Sequence, residues 1–364
     1  MVTSAAVTSA AGDRAARWRL PGRLAALGIP VALVLAIGLG CSGLIGGADD
    51  QVLVAPAEAL LASGDLPGAS AEYQKLYAEH PESVPIAVGY AYVQLLGGDI
   101  VGADTTLATI EPTAGDKAGE IRLRRALVAL DAKDFDRVEM LGEASGLPEG
   151  KLLAAEVHLV DLESDKAVAL LKEVAPSGGV VGETATTYLS LIESTDQHKA
   201  SLAEASALWA LGDRSGACEA VKESLKALAE DDPDKDTLLL LWAGRAVSSG
   251  RPEIAKDLLE DLFPPPGQQW RYHATLAMVA LAEGDSTGAL AKFAALKEDP
   301  ATPADGLADA LATACTLTKD VAVAEKLVEG LNTAGAARCM STLGAAGAAE
   351  RAPSGPLQSF LGAQ

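Results

Sequence analysis

The sequence is poor in the residues that usually carry chemistry. It holds four His and four Cys in 364 residues. His80, His158, His198 and His273 lie far apart along the chain. No H-E-x-x-H pair and no G-x-x-x-x-G-K-[ST] loop occurs, which excludes the commonest zinc-peptidase and nucleotide-phosphate signatures. No CxxC pair points to zinc, and the three Cys beyond the first 50 positions do not make a disulfide framework. We therefore expect no catalytic residue, no cofactor and no metal site. Paired carboxylates are unavoidable among 50 acidic residues, and the run DDPDKD at 231–236 reads as an exposed loop. An envelope polysaccharide hydrolase built from such a pair has no residue singled out for it.

Aromatics are also scarce, at 4%, although 49% of the chain is hydrophobic. Ala, Leu and Val carry the apolar content, with few β-branched runs. That composition suits closely packed helices rather than sheets.

Basic charge is the third shortage. The net charge is −21. Arg14, Arg17, Arg19 and Arg23 sit in the first 48 residues against Asp13 alone, so the remainder carries 25 basic and 49 acidic residues. Such a domain repels nucleic acid and anionic lipid headgroups. Its acidity reads as a solvated surface, or as a surface for a basic protein partner.

Charge is absent altogether from Leu24 to Gly47, LAALGIPVALVLAIGLGCSGLIGG. As a helix this stretch would be about 36 Å long, enough for a hydrocarbon core of ~30 Å. The four Arg precede it, and Asp49 and Asp50 follow it. The positive-inside rule then keeps the N-terminus in the cytoplasm and exports the acidic bulk. The stretch reads as an uncleaved single-pass anchor. It also reads as a lipoprotein signal, because Gly40 before Cys41 suits a lipidation box while Leu39 and Gly38 fit one poorly. Both readings place the domain outside a bacterial inner membrane, held at its N-terminus by a helix or by a lipid on Cys41.

The exported part repeats itself. Gly64-Asp65 is followed after 34 residues by Gly98-Asp99, then by Lys133-Asp134, Gly212-Asp213, Gly250-Arg251, Gly284-Asp285 and Lys319-Asp320. Five residues after each turn stand Ala69, Ala103, Val138, Ala217, Ala255, Ala289 and Ala324. Seven residues before each stand Ala57, Ala91, Ala126, Ala205, Ala243, Ala277 and Ala312. Small residues at both places let two helices cross closely. Gly accepts the positive φ that ends a helix, and Asp caps the next one. A fourth copy reads as Ser164-Asp165 with Ala169, although Val157 then takes the small position.

These residues resemble the tetratricopeptide repeat, a 34-residue helix–turn–helix unit. The best match is LAMVALAEGDSTGALAKFAALKEDP at 276–300, with Leu276, Ala277, Gly284, Asp285, Ala289, Phe293, Leu296 and Pro300 in the motif's places. Gly64, Asp65, Ala69, Tyr73, Leu76 and Pro81 fill the same roles in the first copy. The resemblance implies an all-α chain: an α-solenoid following an N-terminal transmembrane or lipoprotein-signal helix. The organisation expected is a basic leader at 1–23, the anchor or signal at 24–47, a repeat block at 50–178, a second block at 179–347 ending in a capping helix near 333–346, and a loose tail at 348–364. The segment 183–197 falls in a gap between the blocks and reads as an extra helix or an extension of the next one, with Gly178-Gly179 as the joint.

The resemblance also implies a non-enzymatic protein-binding scaffold whose first helices line a concave groove. Tyr92, Leu123, Leu127, His158, Trp209, Leu240, Gly244 and Met278 fall on that face by register, and Tyr92 and Trp209 are the strongest contact candidates. Trp242 and Trp270 read as packing residues. Arg122 and Arg125 share a helix face, and either pair with local carboxylates or grip an acidic peptide. Cys315 and Cys339, on neighbouring helices, are within reach of a disulfide in an oxidising compartment. Secretion, pilus or motility assembly and envelope biogenesis suggest themselves by analogy alone. A periplasmic chaperone holding exported clients is the alternative.

Overall fold

The computed structural model describes residues 48–329, apart from 196, 230, 231, 233, 261, 265, 266 and 319. The apolar stretch 24–47 with Cys41, the expected capping helix, Cys339 and the tail lie outside the described residues. Among those described, no helix is long and apolar enough to cross a membrane.

The described residues form seventeen α-helices and no strand. They pair as hairpins: α1 (Ala48–Ala62) with α2 (Leu66–Glu79), α3 (Val84–Leu96) with α4 (Ile100–Ile110), α5 (Ala118–Asp131) with α6 (Phe135–Ser145), and α7 (Pro148–Val160) with α8 (Ser164–Val174). A single helix, α9 (Gly179–Ile192), follows. Pairing then resumes with α10 (Gln197–Ala210) and α11 (Arg214–Ala227), α12 (Lys235–Ser248) and α13 (Pro252–Leu259), α14 (Gln269–Ala282) and α15 (Ser286–Glu298), and α16 (Ala304–Leu317) and α17 (Val321–Val328).

Seven of the eight hairpin turns are built from the same two hydrogen bonds. At the second turn, the Gly98 N–H donates to the Leu95 carbonyl and the Asp99 N–H to the Gln94 carbonyl. This arrangement satisfies the last carbonyls of a helix and needs a left-handed residue at its end. Gly64, Gly98, Lys133, Leu162, Gly212, Gly250 and Gly284 all have φ between 57° and 90°. The Asp that follows then caps the next helix. The carboxylates of Asp65, Asp99, Asp134, Asp213 and Asp285 each accept a backbone N–H three residues on.

The fourth turn corrects the sequence reading. Its left-handed residue is Leu162, followed by Glu163, rather than Ser164-Asp165. Counting from Leu162 puts Ala155 and Ala167 at the two crossing points, and both are fully buried. Val157 is then an ordinary core residue, and Ala169 is exposed. Close packing of two alanines fixes the register here, against turn residues that favour neither position. The eighth hairpin departs in a smaller way: Ala312 is only half-buried, while Leu311 and Ala314 beside it are buried.

Successive hairpins interlock through ring packing. Tyr73 of α2 lies against Gly89 of α3, where an added Cβ would come within 2.2 Å of the ring. Gly89 is therefore the space that Tyr73 fills.

The interruption at α9 is a complete helix, separate from α10. It packs on α8, where the first helix of the next unit lies elsewhere in the array, and it also touches α7 and α10. Helix α10 lies on α7 instead. One apolar cluster contains Leu152, Val174, Val181, Tyr188, Ala203 and Leu211, so the core runs through Gly178-Gly179 without a break. Leu191 and Leu208 also pack on the next cluster toward the C-terminus.

Candidate partner-binding site

The expected groove residues are not on an open surface. Tyr92, Leu123, Leu127, His158, Trp209, Leu240 and Met278 are all between 1% and 7% exposed. Burial pushes the Tyr92 hydroxyl above its ordinary range. These side chains stand on the first helices of their hairpins, where they are enclosed by neighbouring helices instead of facing solvent. Helix α7 is the extreme case. Every residue from Leu152 to Val160 is buried, because α5, α6, α8, α9 and α10 all touch this helix. Gly244 is half-buried.

Arg122 and Arg125 pair locally. Arg125 donates from Nε to Asp104 Oδ1 at 3.0 Å and from Nη1 to Glu111 Oε2 at 2.7 Å. Arg122 Nε reaches Glu111 Oε1 at 2.7 Å, and Arg137 Nη2 reaches Asp104 Oδ2 at 2.8 Å. Burial alone would raise both carboxyls, but the arginine hydrogen bonds outweigh it and hold Asp104 and Glu111 below the usual range. Two carboxylates thus bind α4 and the following short turn to α5 and α6. Arg124 points elsewhere, buried, with Nη1 on the Glu120 carbonyl at 3.3 Å.

A second arginine group has no such carboxylates. The Arg245 guanidinium lies 4.5 Å from the Trp242 ring centre and 5.2 Å from that of Trp209. Arg214 lies 5.3 Å from the Trp209 ring, and the two indoles meet edge to face at 5.9 Å. Both guanidiniums are half-buried, and neither makes an ion pair among the described residues. Desolvation lowers both, Arg214 to about 10, so Arg214 remains charged at neutral pH. Cation–π attraction compensates for part of the lost hydration. The helix-period spacing of Trp242 and Arg245 was readable as one face of α12. The approach of Trp209 and Arg214 from the preceding hairpin was not.

Beside this group, the Tyr188 hydroxyl of α9 donates to Glu156 Oε1 at 3.1 Å. Glu156 is fully enclosed, and desolvation pushes its carboxyl up to about 8 against the opposing pull of that hydrogen bond. His158 has Nδ1 2.9 Å from Glu163 Oε2 and Nε2 3.3 Å from Glu143 Oε1. Cys218 is a buried free thiol. Cys315 is buried and disulfide-bonded, and its expected partner Cys339 lies outside the described residues.

One stretch imitates a catalytic motif. Gly284–Gly288 reads GDSTG, the spacing of a serine nucleophile elbow. Such an elbow joins a strand to a helix. Here Gly284 closes one helix and Asp285 caps another, so Ser286 is the first residue of α15. A cavity of about 360 Å³ between α15 and α17 is lined by Leu290, Phe293, Ala294 and Leu327, with Lys297, Lys326 and Glu329. That lining holds no carboxylate pair.

A family model described as tetratricopeptide repeat matches residues 60–130. The segment 60–130 is tetratricopeptide repeat by this match. The matched segment contains the turns at Gly64 and Gly98, and the five later turns with the same two hydrogen bonds extend that geometry to Gly284. Among solved structures, the P58(IPK) TPR domain is 15% identical, with 82% of this chain and 99% of that one covered and a TM-score of 0.19. No curated protein matches the chain. Tetratricopeptide repeats are protein-interaction scaffolds, and no catalytic family is indicated for this chain. The residues that identify the repeat are committed to turns, caps and crossings. What distinguishes this repeat protein is the polar set around α9: Glu156, Tyr188, Arg214 and Arg245.

Proposed function

We propose that this tetratricopeptide repeat protein is a non-enzymatic scaffold held at the outer face of a bacterial inner membrane, by a helix at 24–47 or by a lipid on Cys41. It takes an extended segment or helix of a protein partner, and the anchor raises the concentration of that partner at the membrane. The observation that carries the scaffold reading is the repeat itself. A stack of hairpins offers a long, continuous surface and spends its signature residues on structure.

Arg214 and Arg245 over Trp209 are the contact point we favour. They are partly exposed cations with no ion pair among the described residues, backed by aromatic faces, and arginine and tryptophan dominate interface energetics. The remaining surface is acidic and suits a partner that is basic overall, with a carboxylate of its own for the arginine pair.

Crosslinking and pull-down from native membranes tests this reading. The full chain should capture one or two stoichiometric partners, binding should weaken steeply with salt, and Arg214→Ala with Arg245→Ala should abolish capture. Many clients in place of a few would identify a periplasmic chaperone. Undiminished capture by the double variant would move the site elsewhere. Trp209→Ala is the poorer probe, because that ring is core. Palmitate labelling lost on Cys41→Ser would select the lipid anchor, and labelling absent from the wild type would select the helix.

A further inference from the structure

The fourth hairpin holds a histidine that repeat packing does not require. His158 stands four residues before the turn residue Leu162. The same place in the other regular hairpins belongs to Leu60, Gln94, Ala129, Leu208, Ala246 and Ala280. The imidazole is 1% exposed, so both of its nitrogens must find partners within the protein. Nδ1 lies 2.9 Å from Glu163 Oε2. Lys166 donates to the same oxygen, so Glu163 stands as the acceptor on that side of the ring and the proton between them sits on Nδ1.

Nε2 faces Glu143 Oε1 at 3.3 Å and Glu139 Oε1 at 3.8 Å. With the ring neutral, Nε2 carries a lone pair that a carboxylate, itself an acceptor, does not satisfy, and a proton or a metal ion does. Glu139 and Glu143 are four apart on α6, where like charges repel. Three electron-pair donors thus converge, all within 4.8 Å of one another.

The geometry points to a divalent transition-metal site of the zinc class, with His158 Nε2, Glu139 and Glu143 as ligands and Glu163 fixing the imidazole tautomer. Ligands about 2.0–2.2 Å from a tetrahedral ion stand roughly 3.4 Å apart. The His158–Glu143 separation already meets this, and Glu139 closes by a small side-chain rotation. A carboxylate on the far nitrogen of a ligating histidine is the usual means of orienting it. Imidazole with two carboxylates and no thiolate selects against Mg²⁺ and Ca²⁺, which prefer all-oxygen sites. Glu143 is exposed, so the ion enters from solvent and a water completes its shell. Bound there, the ion would tie α6 to α7 across the third and fourth hairpins. This assignment is independent of the partner-binding proposal.

The test titrates the full chain, stripped with a chelator, with Co²⁺. One equivalent should produce d–d absorption, which Zn²⁺ then displaces, and Zn²⁺ should raise the melting temperature. Glu139→Gln with Glu143→Gln should weaken binding at least ~100-fold, and Glu163→Gln about 10–100-fold. Both double-variant positions reach solvent, and Glu143→Gln alone provides a variant whose fold is not at risk. Absorption and melting that ignore both metals would overturn the assignment and leave a proton as the only occupant. Stoichiometric binding unaffected by these variants would overturn it equally.

Discussion

Replacing Glu156 by Gln should flatten the dependence of stability on pH. The carboxyl is enclosed between α7 and α9, with its acid form favoured up to about pH 8 against an ordinary value of 4.5. Between those values the folded chain binds a proton that the unfolded chain has released. Stability from this group is therefore fully present below about pH 4.5 and is lost as pH rises toward 8. The slope is about 1.4 kcal/mol per pH unit, which amounts to about 3 kcal/mol at pH 7 and about 5 kcal/mol above pH 8. Gln has nearly the same shape, accepts the Tyr188 hydrogen bond through its carbonyl oxygen, and does not titrate. Urea unfolding of both proteins from pH 5 to 9 isolates the effect, because every other titrating group cancels in the difference. The variant should gain on the wild type as pH rises. Parallel curves would refute the argument: Glu156 would then be ionised in the folded state, or hydrated.

Lys133→Gly should stabilise the chain by about 0.5–1 kcal/mol. Lys133 is exposed and left-handed, with φ of 57°, and the strain of ~1–2 kcal/mol relieved exceeds the added chain entropy of glycine. Lys133→Ala should leave stability unchanged in the same urea titration, because alanine keeps the strain. Arg125→Met should cost about 1–2 kcal/mol, less than the ~3–5 kcal/mol of a fully orphaned buried charge, because Asp104 keeps Arg137 and Glu111 keeps Arg122. Arg122→Ala, on a more exposed pair, should cost no more than ~1 kcal/mol. A loss of partner capture with unchanged stability in either variant would show that these arginines serve recognition.

Most of the hairpin array was readable because its turns need particular chemistry. A left-handed residue favours glycine, and a cap whose carboxylate accepts the N–H three residues on favours Asp, so Gly-Asp at a fixed spacing marks the turn. Where the chain departs from that chemistry the reading slipped. Leu162-Glu163 offers neither signal, while Ser164-Asp165 two residues later offers a plausible cap. Only the packing of Ala155 against the next helix at Ala167 decides between them. The surface was less legible than the turns. Register groups Tyr92, Leu123, Leu127 and Met278 on one side of the first helices, and all four are buried. It does not say how closely neighbouring hairpins approach, and at these positions they approach closely enough to exclude solvent. Nor does spacing show that Arg122 and Arg125 meet carboxylates of Glu111 and Asp104, whereas Arg214 and Arg245 lie over indole rings.

Helix α9 explains why the polar groups gather in the middle of the array. In the other hairpins the first helix is only partly enclosed, and positions such as Gln94 and Gly244 keep contact with water. The extra helix takes the place on α8 that belongs to the next hairpin, and α10 lies on α7. Helix α7 is enclosed along its whole C-terminal part. Glu156 and His158 then need partners within the protein. Tyr188 of α9 meets the first, and Glu163, Glu139 and Glu143 surround the second. The insertion therefore does more than lengthen the chain between hairpins. It encloses one stretch of a first helix as a buried polar joint, and the contact point proposed at Arg214 and Arg245 lies beside that joint.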